Sequence, residues 1–243
     1  MKETRQAILD AKTLAYKMDP VVLKLDTTFQ DVEMLAEACK KYSFGCCFGW
    51  PCHYEMLSRL LEGSDTVMGC SVGFPSGQEE TSTKVYLVKK FLQYGPGEVD
   101  MMMNVGMLKS GLYDQCYDDM AAVREACPGT SMKVIIEAML LSDDEIEKAC
   151  QLAMRAGVDY IKTGSGFSVN MPTRPHHIRV IKDVVGDRMK IKASGGIRDL
   201  DTLLNMYALG ADRFGVSLNA AIAIVEKIRE RGEVDTSLIV PEC

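Results

Sequence analysis

Three histidines, one tryptophan and no Cys-x-x-Cys pair among 243 residues are the first shortages of this chain, and each removes a class of function. A Ser-His-Asp or Cys-His hydrolase needs a histidine beside a nucleophile. Here His176 and His177 follow Pro175 at the start of a helical stretch, where they read as surface residues, and only His53 lies near a strand end. The nine cysteines are odd in number and scattered through apolar or helical stretches, so they read as reduced thiols serving as small hydrophobes. A zinc site from Cys46, Cys47, Cys52 and His53 is disfavoured, because adjacent residues on a strand point to opposite faces. Metal and organic cofactors are not expected. No apolar run approaches the roughly 18 residues of a membrane span, and the start Met1-Lys2-Glu3-Thr4-Arg5 lacks a signal-like hydrophobic stretch. The expectation is a cytoplasmic protein without a membrane partner. Positive charge is the minority, with 28 Lys and Arg against 34 Asp and Glu, a net charge of -6 that argues against nucleic acid.

What is present is ample core material, 47% hydrophobic residues, arranged in a regular rhythm. An amphipathic opening helix is expected over about residues 2–17, within a leading segment 1–19. Eight short runs, apolar on both faces, follow at residues 21–26, 44–49, 66–74, 99–104, 132–138, 160–163, 189–193 and 213–217. Stretches of helical period separate them, often closed by a glycine such as Gly95, Gly157 or Gly210. Strands apolar on both faces belong to parallel sheets covered by helices. Eight such units predict one (β/α)8 TIM barrel over residues 1–243, with residues 232–243 as a loosely held tail. An open doubly wound sheet is disfavoured, since the first run ends in Asp26-Thr27-Thr28-Phe29 and not in a Gly-x-Gly-x-x-Gly turn.

In such barrels the chemistry sits at the carboxyl ends of the strands. Asp100, Lys162 and Lys192 are charged residues inside apolar runs, where an unpaired charge is costly. One lysine alone reads as a strand end snorkelling to water. Two on adjacent strands read differently. Ammonium groups about 4 Å apart at an effective dielectric near 20 repel by roughly 4 kcal/mol, enough to leave one neutral near pH 7. A neutral lysine attacks a carbonyl to form a Schiff base, the other lysine stays protonated, and Asp100 relays a proton through water. Lys190, nearer the barrel bottom, reads as a salt-bridge residue, and Lys84 and Lys109 as surface charges. Glu137 reads two ways, as a lumen carboxylate balancing the lysines or as a strand-end residue. Trp50 walls the pocket or packs in the core, and the 16 methionines, Met101-Met102-Met103 included, read as flexible packing.

Over about residues 25–230 the chain resembles the deoxyribose-phosphate aldolase family of class I aldolases. The resemblance is carried by Glu98-Val99-Asp100-Met101-Met102-Met103-Asn104-Val105-Gly106, by Lys133-Val134-Ile135-Ile136-Glu137, by Tyr160-Ile161-Lys162-Thr163 with Gly166-Phe167, and by Lys192-Ala193-Ser194-Gly195-Gly196-Ile197-Arg198. It implies a barrel without cofactor that reversibly cleaves 2-deoxy-D-ribose 5-phosphate into acetaldehyde and D-glyceraldehyde 3-phosphate. It further implies Lys162 as nucleophile, Lys192 as the neighbour that lowers its pKa, Asp100 as acid-base partner, and a homodimer. Thr28, Gly166, Gly195, Gly196 and Ser217 fall at positions implied to bind substrate or its phosphate.

The far end of the substrate site departs from the family. A Thr-Ser-Thr-Gly turn reads Thr163-Gly164-Ser165-Gly166, the next stretch reads Ser168-Val169-Asn170-Met171-Pro172, and Leu218 replaces a small residue. Phe48-Gly49-Trp50-Pro51 stands where some members carry a reactive cysteine, and Cys243 ends the chain where some carry a tyrosine. These departures keep open an aldolase acting on a different, unphosphorylated aldehyde. A barrel that only binds a small molecule is a second rival, weakened by the joint presence of Asp100, Lys162 and Lys192. A sugar-phosphate isomerase would call for a lumen histidine, and none is visible.

Overall fold

The computed structural model of the chain describes residues 5–168, 170–239 and 241. In chain order the elements are β1 (Ile8–Leu9), α1 (Ala11–Tyr16), β2 (Met18–Val21), α2 (Phe29–Tyr42), β3 (Cys46–Phe48), α3 (Tyr54–Leu60), β4 (Val67–Val72) and α4 (Thr81–Phe91). They continue with β5 (Glu98–Met102), α5 (Val105–Lys109), α6 (Tyr113–Ala126), β6 (Ser131–Ile135), α7 (Asp143–Arg155), β7 (Tyr160–Lys162) and α8 (Pro175–Val185). The last are β8 (Lys190–Ser194), α9 (Leu200–Ala208), β9 (Arg213–Ser217), α10 (Leu218–Arg231) and β10 (Val234–Asp235). Strands β2 to β9 form a closed barrel in sequential order, every neighbouring pair is parallel, and β9 returns to β2. This is the expected (β/α)8 barrel.

Local chemistry explains the outer helices. Helix α7 starts at Ser142, which accepts from the Glu145 amide while Glu145 reaches back to the Ser142 amide. Its buried residues Ile146, Ala149, Cys150 and Ala153 recur at helical spacing and face the sheet. Helix α8 begins with Pro175, whose missing N–H costs nothing in a first turn. The cysteines Cys39, Cys46, Cys47, Cys70, Cys116, Cys127 and Cys150 are buried free thiols, and Cys52 is exposed. Cys243 lies outside the described residues.

Four expectations need correction. The opening helix is reduced to α1, capped by Asp10, which accepts from the Thr13 amide. Residues 8–9 before it pair as a strand with β10. The C-terminal segment is correspondingly held: the Ala7 amide donates to Thr236 Oγ1 at 2.8 Å and the Thr236 amide to the Ala7 carbonyl at 2.9 Å, with Thr236 fully buried. Two-residue strands are too short to leave a periodicity. The first barrel strand is Met18–Val21, not residues 21–26, and Asp19 within it has its charge balanced inside the barrel. Lys84 is fully buried, not a surface charge. It donates to Asp119 at 2.6 Å and to the Gly77 carbonyl at 2.8 Å, tying the loop after β4 to α6. Lys109 is exposed, as expected, and pairs with Glu145.

Candidate active site

Six of the eight barrel strands send charge into the lumen. Asp19 comes from β2, Glu98 and Asp100 from β5, Lys133 from β6, Lys162 from β7, Lys192 from β8 and Arg213 from β9. Lys162 Nζ donates to Asp100 Oδ2 at 2.7 Å, and Lys192 Nζ donates to the same oxygen at 3.0 Å. Lys192 also meets Asp19 Oδ2 at 2.7 Å, while Lys133 pairs with Glu98 and approaches Asp100 Oδ1 at 3.5 Å. Arg213 closes the ring by binding Asp19 and, at 3.2 Å, Glu98. All three lysines and Asp19 and Asp100 are at most 5% exposed.

Among the described residues the network therefore sets four cationic side chains against three carboxylates in a buried space, and one cation lacks a counter-charge of its own. Burial in such a medium favours the neutral form of whichever lysine is least compensated. That lysine is Lys162. Burial pushes its pKa down and the Lys192 ammonium adds to the effect, against the opposing pull of Asp100. Lys192, equally buried, is held above the ordinary lysine value because Asp100 and Asp19 both face it. Lys133 is likewise raised, by Asp100 and Glu98 acting against its burial. Burial alone would raise Asp100, but Lys162, Lys192 and Lys133 together hold it far below the carboxylate range. The neighbouring cation is thus a secondary cause of the Lys162 shift, with burial first. Asp100 touches Lys162 directly, where the sequence suggested a relay through water.

Above the lysines the loops after β6, β7 and β8 enclose a cavity of about 460 Å³ lined by Glu137, Met139, Gly166, Gly195, Gly196 and Arg198 among others. Gly166, Gly195 and Gly196 have φ of 85°, 100° and 87°, which side chains resist. At Gly196 a Cβ would also fall 2.6 Å from the Pro172 Cβ. The altered turn has a packing reason: a Cβ at Gly164 would lie 2.6 Å from the Met139 Cε, so Met139 fills the place of the missing side chain. Glu137 is buried with φ 51° and accepts from the Ser165 amide at 2.7 Å, while its Oε1 has no partner among the described residues. It shapes this loop and is not paired with a lumen lysine. Val169 lies outside the described residues.

The remaining expected residues are not brought together. Ser217 caps α10, accepting from the Ala220 amide, and Leu218 follows it as the first helical residue. Thr28 is an exposed cap of α2 whose hydroxyl binds Asp31 at 2.6 Å. Trp50 is half-buried, with its ring centroid 6.0 Å from those of both Phe74 and Phe167. Lys190 is exposed and stands 5.4 Å over the Tyr160 ring, which takes the place of the expected salt bridge. Among the described residues, no group of three or more His, Cys, Asp or Glu is placed to hold a metal ion, and no helix is long and apolar enough to cross a membrane.

Sequence reasoning missed Asp19, Glu98, Lys133 and Arg213. Glu98 and Lys133 each open a segment quoted for the resemblance, and both are charges in apolar runs, the signal that found Asp100. Asp19 preceded the expected strand and was hidden by the misplaced boundary.

With this geometry established, comparison with known proteins gives a consistent answer. Residues 13–222 match the profile of the DeoC/LacD family aldolases. The deoxyribose-phosphate aldolase of Staphylococcus epidermidis is 38% identical over 205 residues, 84% of this chain and 93% of that protein. The solved structure of the aldolase QR15 superposes with a TM-score of 0.84 at 31% identity, covering 90% of this chain and 96% of the other. A deoxyribose phosphate aldolase from Aeropyrum pernix, described as tetrameric, gives 0.82 at 26% identity over 91% and 93% of the two chains. A charged lumen built round Lys162 and a family match over most of the barrel lead to one assignment: the chain belongs to the DeoC/LacD family of aldolases.

Proposed function

We propose that the protein is a Schiff-base aldolase that reversibly cleaves 2-deoxy-D-ribose 5-phosphate to acetaldehyde and D-glyceraldehyde 3-phosphate. The observation that carries this reading is the opposite treatment of two buried lysines sharing one carboxylate oxygen: Lys162 is pushed toward neutrality and Lys192 is kept cationic. Neutral Lys162 adds through Nζ to the aldehyde carbon C1, and loss of water leaves a protonated imine. Removal of the C3 hydroxyl proton lets the C2–C3 electron pair flow into the imine, releasing D-glyceraldehyde 3-phosphate and leaving an enamine on Lys162. A proton returns to C2, and water hydrolyses the imine to acetaldehyde and free Lys162. Asp100, in contact with both lysines, is the group through which these protons pass, and Lys192 keeps the site cationic while they do.

The phosphate end fits the cavity at the mouth. Gly166, Gly195 and Gly196 expose backbone there, and Arg198 supplies positive charge. Ser217 caps the neighbouring α10 and Thr28 caps α2, and neither lines this cavity. A second reading, an acceptor aldehyde without phosphate, is favoured by the unpartnered Glu137 Oε1 at the edge of the same cavity. The ratio of kcat/KM for 2-deoxyribose 5-phosphate to that for 2-deoxyribose separates the two, a large ratio supporting the first. The reading includes a single domain acting in the cytoplasm as a homodimer on small molecules, testable by fractionation and by sedimentation.

The direct test is borohydride trapping with millimolar acetaldehyde followed by peptide mapping, with Lys162→Met as control. An adduct confined to Lys162 supports the chemistry. Adducts spread evenly over surface lysines would refute it and favour a barrel that only binds its ligand.

A further inference from the structure

Phe48, the last residue of β3, lies with its ring against both Lys162 and Lys192. It is 1% exposed, and its centroid lies 4.3 Å from Lys192 Nζ and 5.5 Å from Lys162 Nζ. The electron-rich face of an aromatic ring tolerates a buried ammonium, so the ring can lie against Lys192 without unseating it from Asp19 and Asp100. Its space comes from across the sheet. Gly69 on β4 is the register partner of Phe48, and a Cβ there would lie 2.2, 2.3 and 2.8 Å from three ring carbons. Gly69 does not have a positive φ, so room for the ring, and not backbone conformation, is what glycine provides at this position.

We infer that Phe48, seated over Gly69, is a specificity-determining wall that restricts the carbonyl donor to two carbons. The inference rests on the Schiff-base reading of Lys162. An imine carbon uses one bond length of the gap between Nζ and the ring, and the next carbon uses much of the remainder. Carbon atoms meet at about 3.5–4.0 Å, so the second carbon already has to lean off the line to the ring centre to keep contact distance. A third carbon on that side collides with it. The ring cannot retreat, because Gly69 already offers no side chain to displace. The acceptor half of the substrate leaves toward the open cavity at the mouth, where no such limit applies.

The experiment compares borohydride trapping rates at Lys162 with acetaldehyde and with propanal, read by peptide mass. The intact protein is expected to trap acetaldehyde at least about tenfold faster than propanal, and Phe48→Val to narrow that ratio about tenfold. Gly69→Ala, which drives the ring toward Lys162, is expected to slow acetaldehyde itself, and Phe48→Leu added to Gly69→Ala to restore it. A wall gives that rescue; a merely structural Phe48 does not. Equal trapping of propanal and acetaldehyde by the intact protein overturns the inference before any variant is made. So does a ratio unmoved in Phe48→Val or, should that variant not fold, in Phe48→Leu. Absence of any Lys162 adduct with acetaldehyde overturns the aldolase reading and the wall with it, whereas an adduct with an unchanged ratio overturns the wall alone.

Discussion

The floor of the lumen and the mouth above it solve opposite problems. In the lumen seven charged side chains on six rigid strands hold one another, with each carboxylate meeting at least two cations. At the mouth the working groups are loops, three glycines with positive φ, one arginine and a carboxylate with a free oxygen. Strands give the precision that proton transfer and covalent chemistry need, because a small misplacement of a reacting group is costly in rate. Loops can change their residues without disturbing the barrel, and the altered turn Thr163-Gly164-Ser165-Gly166 lies there, while Asp100, Lys162 and Lys192 stand on strands. Chemistry and the preference at the phosphate end are physically separable in this molecule.

Variants can break or sharpen that division. The largest expected effect is Lys162→Met, a loss in kcat/KM on the order of 10⁴-fold or more, measured by coupled detection of the released aldehyde. The same substitution is expected to stabilise the fold at neutral pH. A lysine whose folded pKa is depressed binds its proton less readily than in the unfolded chain, so below the ordinary lysine value it subtracts from stability. A melting temperature raised by about 2–4 °C for each kcal/mol recovered is the expected calorimetric result, larger at pH 7 than above pH 10. A lowered melting temperature would mean that Lys162 is structural.

Lys192→Gln removes the cation that helps lower Lys162, so the ascending limb of the kcat/KM profile is expected to move to higher pH, with about a 10- to 100-fold loss at pH 7 that shrinks at alkaline pH. A uniform loss at every pH would assign Lys192 to positioning alone. Arg198→Met, at the mouth, is expected to raise KM for the phosphorylated sugar by about tenfold or more while kcat changes little. A fall in kcat with KM unchanged would erase the separation between the two regions. The smallest effect belongs to Thr28→Ala, where loss of the reciprocal cap of α2 is expected to cost about 1 kcal/mol in urea unfolding. A change in KM beyond that would place Thr28 at the substrate after all.

The barrel was legible because its cause is local. A strand buried on both faces must be apolar throughout, a covering helix must be apolar on one stripe, and the alternation of the two appears directly in the sequence. The charges Asp100, Lys162 and Lys192 were visible against that background, since nothing in a strand core explains an ion except a partner. The ends of the chain were not legible, because β1 and β10 are two residues each and depend on meeting from opposite ends of the sequence. Asp19 was missed for the same reason, for it becomes a strand residue only when Lys192 and Arg213, more than 170 positions away, arrive to balance it.

Sequence alone thus determined the alternating elements, the parallel closed sheet and which charges were out of place, since these follow from side-chain periodicity and the cost of burying an ion. Only the tertiary structure decided which lysine is short of a counter-charge. It also decided that Asp100 touches both lysines, that Phe48 takes the room Gly69 leaves, and that Met139 fills the gap beside Gly164. Those outcomes depend on distances across the barrel, which are set when eight strands close on one another and not by any neighbour in the chain.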